Sequence, residues 1–287
     1  MAAGIEERRR RRRWRPGYGW LVLPALLLAI LLFVVPIGAV VRFSLFDPDF
    51  TLKNFDKFFA APIYGRIIFN TLQVAAIVTL LSALIGYPAA YVINRLTGPW
   101  KTVAVLMVVL PLWTSVLIRS YSWSVLLGTE GIVNTLQQAI GLSDEPWKLL
   151  YRSETVFVAM TQILMPIMIL TCLSAMARID DDLVRAARVF GAGPLRAFWR
   201  VFFPLSIGGL VNGTLLIFIL SLGFFITPAL VGGPKDILIA NMIEQQINQL
   251  VNWGFGSTLA VIVLLIALVV VLLMKLTNRD RYLDVAR

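Results

Sequence analysis

Long uncharged runs alternate with short charged segments along the whole chain. A helix rises about 1.5 Å per residue, so about 20 apolar residues cross a hydrocarbon core ~30 Å thick. Six runs of that order lie within residues 21–41, 67–94, 102–118, 155–177, 201–234 and 257–274. The fifth is too long for one helix and has to include a loop. The pattern predicts an all-α, polytopic membrane protein with six transmembrane helices.

Three longer connections lie on one side of these spans, at residues 42–66, 119–154 and 231–253. The first is predicted to hold two short extended or helical pieces around residues 50–59, and the second a short helix near 132–140. The third opens with the turn Gly232-Gly233-Pro234 and continues as an amphipathic stretch. There Asn241, Glu244, Gln245, Asn248 and Asn252 recur at helical spacing.

Composition agrees with a chain that lies mostly in lipid. Hydrophobic residues make up 59% and charged residues 15%, against about 45–50% and about 25% in soluble domains. That excludes a disordered chain, a disulfide scaffold and a conventional soluble enzyme. Histidine, the commonest proton shuttle and metal ligand, is absent. The single cysteine, Cys172, forms no intrachain disulfide or CxxC site. No catalytic, metal-binding or cofactor-binding residues are expected.

Charge sets the predicted orientation. The N-terminal segment, the turn at Arg95 and Lys101, the segment 178–204 and the C-terminus carry 18 basic residues, against 8 on the other side. With acidic residues counted, the two sides stand at +11 and −1. Lys and Arg are retained in the cytoplasm, so both termini are predicted to be cytoplasmic. The arginines at 8–13 and 15 then act as a topological anchor, with Trp14, Tyr18 and Trp20 at the interface. The net charge of +10 suggests nucleic acid, but no groove-tracking basic pattern with interleaved aromatics is present. A cleaved signal peptide is disfavoured, because the apolar run exceeds 7–15 residues and no convincing A-x-A-like site follows. The expected organisation is an Arg-rich cytoplasmic segment at 1–19, a transmembrane domain at 20–277 and a cytoplasmic tail at 278–287.

The cytoplasmic loop 178–204 is the most informative segment. Asp181 or Asp182 suits a helix start, and Leu183, Ala187 and Phe190 then fall on one face, with Arg185 and Arg188 on another. Gly191 suits the end of that helix, Gly193 a turn, and Pro194 the first position of a second helix. In the second helix Leu195, Phe198 and Phe202 share a face opposite Arg196 and Arg200, and Pro204 marks the return to the membrane. Small residues Ala186 and Ala187 permit close approach by a partner helix. Arginines around them suit either an acidic groove on a soluble partner or lipid headgroups.

Arg185-Ala186-Ala187, then Gly191, then Val201-Phe202-Phe203-Pro204 resembles the EAA loop of ABC importer permeases. That motif reads Glu-Ala-Ala, three residues, Gly, nine residues, Ile-x-Leu-Pro, and every spacing fits. Arg185 replaces the family's glutamate, a charge reversal that bars carrying over the contact made there. Asn70-Thr71-Leu72, Pro111-Leu112-Trp113-Thr114 with Ile118-Arg119, residues 230–243, and Trp253-Gly254-Phe255-Gly256 are similar to permeases of spermidine/putrescine importers. The resemblance covers residues 50–275 or so.

It implies the type I ABC importer permease fold, a second permease subunit (a different chain, by analogy with polyamine systems), two cytoplasmic ATPases and an extracytoplasmic solute-binding protein. ATP and Mg would be bound by the ATPases, and the location would be a bacterial inner membrane. Arg185, Ala186, Ala187, Gly191, Ala192, Gly193, Pro194, Leu195 and Pro204 would form the ATPase-coupling loop. A polyamine substrate would want carboxylates and aromatic faces, and Trp113, Tyr121, Trp123 and Glu244 stand near the outer half.

The chain carries no G-x-x-x-x-G-K-[ST], G-x-S-x-G or H-E-x-x-H element. Gly232-Gly233-Pro234-Lys235 reads as an ordinary turn. Two other classes compete: an ion-coupled secondary transporter, and a membrane scaffold or lipid-binding protein. The first usually places Asp, Glu or His inside spans, and the six predicted spans hold none. Pro36, Pro88, Pro111 and Pro166 fall inside spans as packing kinks or hinges, and Gly209 and Gly213 form a small-xxx-small step.

Overall fold

A computed structural model describes residues 19–46 and 49–284. The arginine block, Trp14, Tyr18 and the side chain of Trp20 lie outside the described residues. The described part is helical, with one isolated bridge between Phe46 and Phe50. In order the helices are α1 (Gly19–Leu45), α2 (Lys53–Ala60), α3 (Pro62–Arg95), α4 (Gly98–Val109), α5 (Val116–Leu127) and α6 (Ile132–Ala139). There follow α7 (Ser153–Met176), α8 (Asp181–Val189), α9 (Pro194–Ala197), α10 (Phe203–Leu222), α11 (Ile226–Val231), α12 (Ile239–Glu244) and α13 (Trp253–Asp284). The last continues past residue 277, so the segment expected as a tail is helical to Asp284.

Five helices are long and apolar enough to cross a membrane, and a sixth span exists only if a bent pair is taken together. That pair, Gly98–Trp113 and Val116–Ala139, turns by 97°. The span expected within 102–118 is therefore broken in its middle, just after the proline expected as a kink or hinge. Pro111 sits in a single 3-10 turn, Leu110–Trp113, that closes α4. Thr114 and Ser115 are then extended, and both the backbone N–H and the hydroxyl of Thr114 donate to the Pro111 carbonyl, at 3.2 and 2.7 Å. A side chain that satisfies a local carbonyl competes with helix continuation.

Contacts fix the direction of each helix. Arg95, at the end of α3, reaches Asp181 at the start of α8 at 3.8 Å. Asn70, near the beginning of α3, instead donates to the carbonyls of Lys235 and Ile237. The start of α7 lies at that same end, since Tyr151 N–H donates to the Val231 carbonyl and Ser153 Oγ to Asp236. Helices α3 and α7 thus run parallel, and the chain between them has to travel back along the molecule. With the 3-10 turn, α4 rises roughly 25 Å and supplies that return.

The core sits where α3, α7 and α10 meet, around Val78, Ala90, Met160, Met168, Cys172 and Ile217. Absent side chains set the spacing. A Cβ on Gly209 would lie 2.6 Å from Ala175 Cβ, and one on Gly213 2.5 Å from Thr171 Oγ1, so the small-xxx-small step is a close contact of α10 with α7. At the core's edge the Tyr87 hydroxyl and the Ser206 hydroxyl share a 2.6 Å hydrogen bond between α3 and α10. A second cluster around Phe58, Ile67, Ile239, Phe255 and Leu259 joins α2, α3, α12 and α13. Helix α1 lies against α13, where Thr258 Oγ1 reaches the Ser44 carbonyl at 3.4 Å.

Candidate functional site: the loop between α7 and α10

The segment 178–204 folds as helix, tight turn, helix. Its start is set by Asp180, whose carboxylate accepts the Asp182 N–H at 2.9 Å. This corrects the expected cap, Asp181 or Asp182. Both of those lie inside the first turn, where carboxylates favour the positive end of the helix dipole. They are also committed elsewhere: Asp181 to Arg95 at 3.8 Å and Asp182 to Arg185 at 3.2 Å. Arg185 therefore folds back on its own helix. That pair is about three-quarters exposed on both sides and adds little stability.

The far end of α8 closes with a Schellman arrangement. Gly191 N–H donates to the Arg188 carbonyl and Ala192 N–H to the Ala187 carbonyl, both at 3.0 Å. Gly191 adopts φ +83°, a left-handed conformation that glycine reaches without the Cβ clash other residues meet. Gly193 is extended, and Pro194 occupies the first turn of α9.

The faces differ from the expected ones. Val184 is the buried anchor of α8, while Leu183 and Phe190, grouped with Ala187 by periodicity, are exposed. In α9 and the π-helical turn that follows, Ala197 and Phe202 are buried and Leu195 is exposed. Val189, Phe190 and Leu195 stand 85%, 90% and 72% exposed, a bare apolar tip. Arg185, Arg188, Arg196 and Arg200 are exposed around it. Pro204 marks no break: α9, the π turn Phe198–Phe202 and α10 run on as one helical stretch, Pro194–Leu222. Proline in the first turn of α10 fits because the widened turn before it relaxes the demand on its missing N–H.

Aromatic rings hold this unit to the bundle. Tyr91 of α3 meets Phe198 and Phe202 edge-on at 5.2 and 5.1 Å between centroids. The Arg95 guanidinium lies over Tyr91 and Phe202 at 5.2 and 5.5 Å. Arg95 thus touches the aromatic cluster and α8 at once, a brace that sequence reading missed because nothing in its spacing marks it. Between α7 and α10, beside α8, lies a cavity of about 500 Å³ edged by Ser174, Arg178, Asp180, Leu183 and Asn212.

The four residues suggested for a substrate path do not share one wall. Trp113 and Tyr121 are exposed at 83% and 61%. Trp123 turns inward and its indole N–H donates to Gln162 of α7 at 3.3 Å. Glu244 ends α12 and borders two hollows. The polar stripe beyond it forms a π turn, Gln245–Gln249. Asp236, not anticipated from sequence, is buried and accepts from Ser153 Oγ and from Gly233 N–H, tying the Gly232-Gly233-Pro234 turn to α7.

Residues 103–281 match the family described as "Binding-protein-dependent transport system inner membrane component". The chain is 32% identical to the spermidine/putrescine transport system permease protein PotB of Haemophilus influenzae, covering 93% of this chain and 94% of that one. It is 30% identical to PotB of Escherichia coli, covering 93% and 98%. Among solved structures, one chain of a bacterial ABC transporter that imports the acidic polysaccharide alginate superposes with a TM-score of 0.72. That match has 20% identity and covers 92% of this chain and 96% of that one.

The fold is that of an ABC importer permease, and the chain belongs to the family of inner membrane components of binding-protein-dependent transport systems. It is a multi-pass membrane permease subunit, not an ATPase, and membership sets aside the ion-coupled and scaffold alternatives.

Proposed function

We propose that this subunit forms half of the translocation path of an ATP-driven polyamine importer, with its α8–α9 tip seated in a cleft of a cytoplasmic ATPase. The observation that carries the coupling role is the capped tip, whose apolar residues Val189, Phe190 and Leu195 have no cover among the described residues. The polyamine assignment draws on the relatives' names and on coverage of more than nine-tenths of the chain. Coupling requires an element whose contacts differ between two states. Closure of an ATPase pair would draw two such tips together and swing α7 and α10, which flank the loop. ATP and Mg bind the ATPases. A second, different permease completes the path, a loaded binding protein docks at the opposite end, and both termini are cytoplasmic.

The test is gentle purification of the tagged subunit from its native membrane, with identification of what accompanies it. ATP hydrolysis by the recovered complex is then measured with and without spermidine-loaded binding protein. A co-purifying ATPase and second permease, stimulated by the loaded binding protein, are expected. Recovery of the subunit alone even after crosslinking would overturn the proposal.

A further inference from the structure

Between α11 and α13 the chain forms only a short helix before its backbone changes form. α12 is six residues long and passes into the π turn Gln245–Gln249. Such turns are rare and concentrate at functional sites, and irregular backbone between spans is tolerated where it is buried or lines a water-filled cavity. Here it lines two adjoining hollows, of about 250 and about 340 Å³, with Glu244 in the wall of both. Each is near the lower end of small-molecule sites, which run from about 300 to 1,000 Å³.

The lining has one chemical character. Glu244 supplies a carboxylate, and the amides of Gln245, Gln249 and Asn248 flank it. Ile243, Ile247 and the Phe225 ring provide apolar wall in the second hollow. Among the described residues no Lys or Arg lines either hollow, and the three ion pairs there leave Glu244 out. Among the described residues its carboxylate accepts from Gln249 Nε2, at a long 3.5 Å. Asn241 holds the wall in place, donating to the Phe225 carbonyl at 2.8 Å and accepting the Leu238 N–H at 3.2 Å.

Glu244 is half-buried in the wall of both hollows, where a carboxylate is met by water or by a cation. An anion would be repelled. A hard metal ion wants several carboxylate or carbonyl ligands, and no group of three or more such acidic, His or Cys side chains occurs among the described residues. A primary ammonium on a short methylene chain satisfies both parts of the wall: N–H donors to Glu244 and the amide oxygens, methylenes along Ile243 and Ile247, and a cation face at Phe225.

We propose that the hollows around Glu244 are a transit site for one alkylammonium end of the substrate, with Glu244 as its charge partner. The site rests on the polyamine reading above and assigns that reading a place in this chain.

The test uses the complete importer in proteoliposomes and measures uptake of radiolabelled spermidine and putrescine alongside ATP hydrolysis. Loss of a charge-assisted hydrogen bond predicts that Glu244→Gln lowers uptake by about tenfold. Glu244→Asp should retain most of it, and hydrolysis stimulated by loaded binding protein should persist in both variants. Asn248→Leu should lower uptake several-fold through the second hollow. Wild-type uptake in Glu244→Gln, or in Asn248→Leu if the first variant does not assemble, would overturn the site and leave the polyamine reading standing. Loss of stimulated hydrolysis together with uptake in Glu244→Gln would assign the residue to docking or coupling and also overturn it. A wild-type complex that imports another solute but neither polyamine would sink the reading and the site together.

Discussion

Gly191 shows how one residue fixes the shape of the α8–α9 tip. Its φ of +83° lets two backbone N–H groups close α8, and that closure sets the angle at which Phe190 and Leu195 stand out. Gly191→Pro forces φ near −65° and deletes one of those donors. Uptake should be lost while membrane insertion, read by fractionation, is unchanged. Gly191→Asn, a residue that tolerates the left-handed region, should keep measurable uptake. Normal uptake by the proline variant would mean that the cap has no part in coupling. Arg185 makes the complementary point. The charge reversal at this position stood out in the sequence, but its partner did not, because three consecutive aspartates offer equivalent choices until the helix start is known. With Asp180 as the cap, Asp182 falls one turn before Arg185 and meets it at 3.2 Å.

At the scale of elements, periodicity located α8 and α9 but misjudged which face packs inward. A stripe such as Leu183, Ala187 and Phe190 says that an apolar face exists; it does not say what covers it. The bundle covers Val184 and part of Ala187, and Leu183 and Phe190 are left outward. The same limit applies to span three. Pro111 was legible as a kink, yet a 97° turn depends on Thr114 capping back onto the Pro111 carbonyl. At the opposite end Asp236 binds one loop to the start of another helix, accepting Gly233 N–H at 2.8 Å and the Ser153 hydroxyl. Asp236→Ala strands both donors and should cost about 1–3 kcal/mol, seen as a lower Tm of the detergent-solubilised subunit. Asp236→Asn keeps an acceptor and should lose less. An unchanged Tm in the alanine variant would show that this tie does not hold the loop.

For the whole molecule, the directions of α3 and α7 require a crossing between them, so the two tips of the structure face opposite sides of the membrane. Cys172 is buried and free, which makes a cysteine-free background accessible through Cys172→Ser. On it, Val189→Cys and Lys235→Cys should react with a membrane-impermeant maleimide from opposite sides, with Val189→Cys reached only from the cytoplasm. Labelling of both from one side would refute the topology.

The sequence by itself determined the class. The apolar segments and the spaced EAA-like loop are local properties, because crossing a bilayer demands runs of fixed length and the motif a fixed spacing. Helix α6, near 132–140, was legible for the same reason, whereas the polar stripe from Asn241 stays α-helical only to Glu244 before its π turn. Tertiary structure alone decided the rest: the bend after α4, the outward tip, the Arg95 brace and the hollows at Glu244. These depend on which surfaces meet, and a period along one chain specifies a face without naming its neighbour.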